Sequence, residues 1–389
     1  MQRSDGRIHT THTGSLPRTP ELRRLLIEAD QGRAPDPIVL DRAISASVDA
    51  AISTQVAGGI DVGSDGEQGR FYYSTYAADR MTGFAGATHR PPIVEFEVFP
   101  EWASAWTTRW LSTAEETEIV TVPAAVGDLH YDDELTLITE ETGRFRAALD
   151  AHAAPFTAAF MNAASPGVIA TMHPDEYFGS RDDYLEAIAR EMRKEYEHVV
   201  SHGFVLQIDA PDLAAERLIH FREGSLSDYL KIMEKHVEVL NQALDGLPAE
   251  QLRVHCCWGN YPGPHVHDIE LTDLVGLLYQ INAGALVLPF ANPRHAHELE
   301  VFEAHPLPDT MALVVGVLDV TTDFVEHPRL VADRLVRAAQ AIGDPSRIMA
   351  GADCGFATGV TRQWLTNDVI TMKLRALRDG ADLASERLW

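Results

Sequence analysis

Short apolar runs rich in β-formers alternate along the chain with longer segments whose apolar residues recur at helical spacing. This is the pattern of repeated βα units around a parallel sheet. Residues 8–14, 60–65, 167–172, 204–209, 252–257, 285–289, 312–318 and 347–352 read as eight strands, the number that closes a barrel. Between them, residues 40–56 predict a helix with Ala43, Ile44, Val48, Ala51, Ile52 and Val56 on one face. A second helix is predicted over 182–202, where Tyr184, Leu185, Ile188, Met192 and Tyr196 keep the helical period and Ser180 is placed to cap the start. The stretch between the second and third runs is too long for one βα unit, and within it 92–99 and 118–126 read as an extra extended pair. No repeat and no Gly/Ser linker divides the chain. The expectation is therefore an α/β fold in one domain over residues 1–389, a single (β/α)8 TIM barrel with a β-hairpin excursion at about 85–160 over one mouth.

Charge narrows the partners. The 58 acidic residues against 32 basic ones give a formal charge of -26, which would repel a phosphate backbone or an anionic membrane surface. Nucleic acid and membrane are thereby excluded as expected partners, and a homo-oligomer is left open. The start of the chain, Met1 to Gly6, has no apolar leader core, and no run approaches the ~20 apolar residues that span a bilayer, so a cytoplasmic protein is expected. In such a reducing compartment three cysteines, two of them adjacent at Cys256 and Cys257, read as ligands, nucleophiles or core fillers rather than as disulfides.

The residues that close the predicted strands are the ones a barrel presents to substrate. Thr13-Gly14-Ser15 ends the first, Asp65-Gly66-Glu67 follows the second and Asp209 ends the fourth. His255-Cys256-Cys257 ends the fifth, Asp319 follows the seventh and Asp353-Cys354-Gly355 follows the last. His255 and Cys257 lie two apart on one strand, so they share a face, while Cys256 points away. With Cys354 they form an imidazole and two thiolates. That donor set suits zinc, and three protein ligands with one open position describe a catalytic site. A Cys–His nucleophile pair and simple core packing of the thiols are the other readings.

Thr10-Thr11-His12-Thr13-Gly14-Ser15-Leu16-Pro17-Arg18, Gln207-Ile208-Asp209-Ala210-Pro211, His255-x-Cys257 and Asp353-Cys354-Gly355 together resemble the C-terminal catalytic barrel of cobalamin-independent methionine synthase. The resemblance covers nearly the whole chain. It implies a zinc-bound thiolate that accepts a methyl or alkyl group, with His255, Cys257 and Cys354 as zinc ligands. It also implies that Ser15, Glu67 and Asp209 hold the amino-acid part of a homocysteine-like thiol, with Thr13 in the same strand-end segment. Three positions depart from that family. The run Leu286-Val287-Leu288-Pro289-Phe290 carries no glutamate ligand, Thr321 stands where a histidine is expected after the seventh strand, and the segment after Pro166 lacks the folate-stacking tryptophan. A three-ligand set without the glutamate is similar to the epoxyalkane:coenzyme M transferases, as are Cys257-Trp258-Gly259-Asn260-Tyr261 and Asn292-Pro293-Arg294-His295.

The expected activity is thus zinc-dependent alkylation of a small-molecule thiol by a methyl or alkyl donor. A leaving group would take its proton from His173, Asp175, His265 or His267, and Arg18, Arg70 or Arg294 would hold an anionic substrate tail. His265 with His267 and Asp268 also reads as a second metal group. The competing classes are a metal-free decarboxylase of the uroporphyrinogen type, a non-catalytic binder, and a methyltransferase served by a partner protein.

Overall fold

The structure, a computed structural model, describes residues 4–111, 121–363 and 365–389. Its nine strands are β1 (Val62–Ser64), β2 (Met81–His89), β3 (Thr121–Tyr131), β4 (Ala158–Ala164), β5 (Val205–Asp209), β6 (Leu252–His255), β7 (Ala285–Pro289), β8 (Ala312–Leu318) and β9 (Ile348–Ala352). Seven of them form one parallel sheet in the order β1-β4-β5-β6-β7-β8-β9. Apart from the crossing of the excursion, each strand pairs with the next in sequence, as successive βα units require. The strands of the sheet's centre are buried throughout, from Leu252–His255 to Ile348–Ala352, because helices cover the sheet's outer face. Among the described residues no helix is long and apolar enough to cross a membrane.

The two helices predicted from periodicity are present at Pro37–Gly58 and Arg181–Ser201, and the Ser180 hydroxyl accepts the Asp183 N–H as a cap. Three expectations are corrected. The predicted first strand, 8–14, makes only two single-residue bridges, from Thr10 to Ala350 on β9 and from Thr11 to Val62 on β1. Backbone bonds there are confined to residues 9–11, as in Thr11 N–H to Ala350 O and Val62 N–H to Thr10 O, and side chains take other groups: the Thr10 N–H donates to Asp61 at 2.8 Å, and the Gly14 N–H to His12 Nδ1 at 3.2 Å. Residues 166–172 form a helix instead of the third strand, which is β4. Pro166 begins that helix and the Ser165 hydroxyl caps Val168 at 3.0 Å, while an alanine-rich strand such as Ala158–Ala164 carries little β-propensity to announce it.

The third correction concerns the excursion. Its antiparallel pair is β2 with β3. Residues 92–99 are not a strand, since Pro91 and Pro92 have no N–H to give a ladder and a short helix follows at Glu95–Val98, then a longer one at Pro100–Leu111. Of the predicted 118–126 partner, 121–126 lies in β3 and 118–120 lies outside the described residues. The excursion is bolted to the helical layer by a buried charged network. The Glu195 carboxylate, wholly buried, accepts from Tyr76 (2.7 Å), from Tyr131 on β3 (2.6 Å) and from Arg80 (2.8 Å). Arg80 also pairs with Glu141, which in turn receives Arg70 at 2.9 Å.

Removing one member of such a network strands the others without partners. Glu195→Ala is expected to lower unfolding stability by about 3–5 kcal/mol, read from urea denaturation. A loss below ~1 kcal/mol, the scale of a surface pair, would show that the network does not anchor the excursion.

Candidate metal centre and the cavity above it

The parallel sheet sends the C-terminal ends of β5, β6 and β9 to one side. There the backbone continues β6 past its end: the Ala210 N–H donates to His255 O and the Cys256 N–H to Val287 O. Cys257 Sγ and Cys354 Sγ, 97 residues apart in sequence, approach to 3.9 Å. One ligand atom from each of His255, Cys257 and Cys354 lies within 4.8 Å of the others. Cys256 is buried in the core and takes no part in this group.

His255 is held by Asp209, whose Oδ1 lies 3.1 Å from Nδ1. Asp209 also accepts from Asn162 Nδ2 at 2.8 Å and Gln207 Nε2 at 2.9 Å, so its oxygens are committed as acceptors and the Nδ1 proton belongs to the imidazole. That leaves His255 Nε2 buried and without a hydrogen-bond partner. An orphaned imidazole nitrogen beside two thiols, backed by a carboxylate, is the arrangement of a carboxylate–histidine–metal site. A tetrahedral ion with sulfur bonds of ~2.3 Å sets its sulfurs about 3.8 Å apart, and the observed separation agrees. The residues present therefore fit a zinc ion with three protein ligands. Among the described residues no acidic side chain joins the group: β7 ends in Pro289, and Phe290 follows. The thiol of Cys257 is held well below the usual range, first by its hydrogen bond with Cys354 and then by His255, against the effect of burial.

Two features brace the centre that the sequence did not reveal. The Asp353 carboxylate accepts the N–H groups of Phe290, Ala291 and Asn292 at 3.0, 2.8 and 2.7 Å, tying the end of β7 to the residue before Cys354. Next to it, a Cβ on Gly355 would lie 1.9 Å from Ser15 Oγ, so only glycine lets the first segment pack against the ligand loop. Thr13 Oγ1 donates to Ala352 O at 2.9 Å and Phe356 N–H to Ser15 O at 3.0 Å.

Above these strand ends opens a cavity of about 700 Å³, lined at its floor by Thr13, Ser15, Glu67, Asp209 and the three candidate ligands. Glu67 sits at positive φ (57°) with Oε2 unpartnered, and burial, then the nearby Asp209, push its carboxyl up to about 8. Thr321 lies instead at a small recess behind Cys257 and Cys354, hydrogen-bonded to Asp319 at 2.8 Å.

Other candidates are not brought to the cavity. Arg18 is buried and spends its guanidinium on the carbonyls of Ala357, Glu67 and Arg70 at 2.6, 2.7 and 2.8 Å. Arg70 is fixed by Glu141 and by Asn162 O, and Arg294 donates to His265 O. His173 is fully buried behind β3, its Nδ1 2.9 Å from Pro123 O, and burial lowers it to about 4. Asp175 caps the Tyr177 and Phe178 N–H groups. His265 pairs with Asp268 rather than with His267, and Asp268 pairs with His295. This second group, His265, Asp268 and His295, is compact, but His265 Nε2 faces Tyr261 O and His295 Nδ1 faces Glu298. All four ring nitrogens are engaged, so the group reads as a hydrogen-bonded brace. Sequence reasoning missed the upper wall, where Tyr73, Arg90, Phe96, Trp106 and Arg362 line the cavity; nothing in their spacing marks them.

A curled parallel sheet that gathers an imidazole and two thiols at its strand ends defines an α/β protein with a candidate thiolate metal centre. The chain belongs to the family described as cobalamin-independent synthase, catalytic domain, whose model matches residues 8–95 and 162–378. A methionine synthase from Thermococcus kodakarensis is 25% identical over 350 residues, covering 90% of this chain and 87% of that one. One from Saccharolobus solfataricus is 24% identical over 385 residues, 98% and 96% of the two chains. A 2-hydroxypropyl-CoM lyase from Xanthobacter autotrophicus is 25% identical over 177 residues, 39% of this chain and 45% of that one. Among solved structures, a B12-independent methionine synthase from a Shewanella species, in complex with selenomethionine, aligns with a TM-score of 0.71 at 19% identity over 98% of this chain and 99% of that one.

The raised Glu67 carboxyl has a measurable consequence. Its folded-state pKa of about 8 stands above the ordinary carboxyl value of 4.5, so its contribution to stability is fully present at low pH and is lost as pH rises through 8. Glu67→Gln is expected to flatten the fall in Tm between pH 5 and pH 9 and to be the more stable protein at the alkaline end. Parallel pH–Tm curves for the two proteins would contradict the assignment.

Proposed function

We propose that this protein is a zinc-dependent thiol alkyltransferase of the methyltransferase type, moving a methyl or alkyl group from a small-molecule donor to a homocysteine-like thiol. The observation that carries this reading is the orphaned His255 Nε2 facing two thiols 3.9 Å apart at the floor of a cavity. When bound, zinc would take the substrate thiol at its open position and remove its proton at neutral pH.

The chain's own residues do the rest. Asp209 orients His255 and, with Glu67 and Ser15, lines the floor where the amino-acid part of the thiol would lie. An arriving ammonium group answers the charge repulsion between Glu67 and Asp209, so Glu67 ionises and releases its proton as substrate binds. Asp353 and Gly355 keep Cys354 and the β7 end in register. The cavity walls hold donor and thiol together and keep water out. The relatives named as methionine synthases support an amino-acid thiol, and family membership weighs against a metal-free decarboxylase. The absence of an acid after Pro289 favours a second reading, epoxide opening by a coenzyme M-type thiol. The bridges of Thr10 and Thr11 to β9 and β1 support an eight-stranded closure of the sheet.

Cys257→Ser and Cys354→Ser are each expected to reduce zinc content sharply, while Cys256→Ser keeps it; equal loss in all three would sink the ligand set. Asp209→Asn should weaken zinc binding by roughly 10–100-fold, read by chelator competition. Zinc-edge X-ray absorption should show two sulfurs on the resting protein and a third only with the true thiol, homocysteine or coenzyme M. A zinc site indifferent to both thiols would discard the thiol-activation reading.

A further inference from the structure

The loop that carries Cys354 does not end at the metal centre. It folds back on residues 71–73, where the Tyr73 N–H donates to Thr358 O at 3.0 Å and the Val360 N–H to Phe71 O at 2.9 Å. A Cβ on Gly359 would stand 2.4 Å from the Tyr72 ring, so this close approach requires glycine. The turn closes with the Arg362 N–H on Gly359 O at 3.0 Å, and it presents Thr358, Thr361 and Arg362 to the cavity.

These side chains offer donors that the protein itself does not use. Among the described residues the Arg362 guanidinium meets the Tyr72 hydroxyl at 3.0 Å and the face of its ring at 5.3 Å, and no carboxylate pairs with it. Thr358 Oγ1 is buried without a hydrogen-bond partner, which costs free energy until an acceptor arrives. Arg90 lines the same cavity. It gives one nitrogen to Glu216, whose other oxygen takes His220 at 2.6 Å, and its Nε has no partner. Its positive field reaches Tyr73. A guanidinium fork beside a hydroxyl matches the oxygens of a carboxylate or sulfonate, whereas a cationic group would leave both unanswered.

The position of these donors selects the substrate they serve. Tyr73 lies within electrostatic reach of Cys257 and Cys354, Tyr72 packs on Tyr73 with ring centroids 4.9 Å apart, and Arg362 lies over Tyr72. Two rings therefore separate Arg362 from the thiols, too far for the tail of a short thiol bound at the metal centre, whose amino-acid end has Ser15, Glu67 and Asp209 at the floor. Exposed Asp30 and Asp79 also line the cavity and would repel a second negative charge at its mouth. Resting on the thiol-alkyltransferase reading, we infer that the alkyl donor is an organic anion with a single carboxylate or sulfonate, held by Arg362 and Thr358, its reactive carbon directed past Tyr73 toward the sulfurs. A cavity of about 700 Å³ has room for such a donor beside the thiol.

The test uses the zinc-loaded full chain with homocysteine present, titrated by calorimetry with benzoate, benzenesulfonate and the neutral control benzamide. Both anions should bind at least tenfold more tightly than benzamide, the scale of a hydrogen bond to a charged group. Arg362→Gln should weaken both anions by about ten- to a hundredfold and Thr358→Val by about fivefold, while each variant still gains a third sulfur at the zinc edge with homocysteine. Equal affinity for anions and benzamide, or an Arg362→Gln protein that keeps the parent's affinity, would overturn the inference. So would tighter binding of 5-methyltetrahydrofolate triglutamate than of its monoglutamate, since the site takes one charge. An Arg362→Gln protein that loses the zinc-edge response to coenzyme M but binds benzoate as before would give the anion site to the thiol, which also overturns it. If neither homocysteine nor coenzyme M adds a third sulfur in the parent protein, the thiol reading beneath the inference is what fails.

Discussion

The approach of Cys257 and Cys354 to 3.9 Å is the constraint on which the rest of the centre depends. The two residues follow strands β6 and β9, with β7 and β8 between them in the sheet, so only a sheet that curls can bring those ends together. Curling alone would leave two buried thiols and a buried imidazole, which is unfavourable without partners. The cost is offset locally. Asp209, itself held by Asn162 and Gln207, takes the outer nitrogen of His255. Asp353 takes three backbone N–H groups of the β7 end, and Gly355 lets Ser15 close over the gap. These contacts fix the strand ends that carry His255, Cys257 and Cys354, and His255 Nε2 is the atom left over.

Much of this was legible because it follows from strand periodicity. A histidine and a cysteine two residues apart on a strand must share a face, and strand ends in a parallel βα fold must collect on one side. Thr13, Ser15, Glu67, Asp209, His255, Cys257 and Cys354 meet at one cavity for that reason. What failed did so where local pattern carries little information. The run after Ser165 is apolar enough to be strand or helix, and the capping hydroxyl with Pro166 decides for helix. The strand it displaced, Ala158–Ala164, is mostly alanine and gains its order from pairing with β1 and β5. Arg18 and Arg70 looked like substrate clamps because sequence cannot show that a guanidinium is already consumed by carbonyls and by Glu141.

The excursion obeys different physics from the sheet. Its two strands form a sheet of their own, a hairpin that would be marginal alone, with a single-residue bridge from Ala125 to Asp175 beyond it. Its attachment is largely polar and falls on two sides. Arg80, Glu141, Glu195, Tyr76 and Tyr131 form a buried network on the helical side, while on the cavity side wholly buried Glu95 accepts from Tyr261 and from the Val266 N–H at 2.8 Å each. Glu95 thus links the excursion to the loop that leaves Cys257, so the cavity's roof and its floor share one segment of backbone.

That shared segment joins two parts of the cavity that are built in different ways. The sulfur end is dictated by strand ends and by the close approach of His255, Cys257 and Cys354, so it tolerates little change. The upper wall rests in part on a hairpin and two helices that the sheet does not need for its own pairing, and such insertions vary without disturbing the core. That wall carries Tyr73, Phe96 and Trp106 beside Arg90 and Arg362, and a change there would leave His255, Cys257 and Cys354 where they are. Function then lies in the combination of the strand-end geometry with the roof above it, and the roof is the part that fold similarity cannot supply.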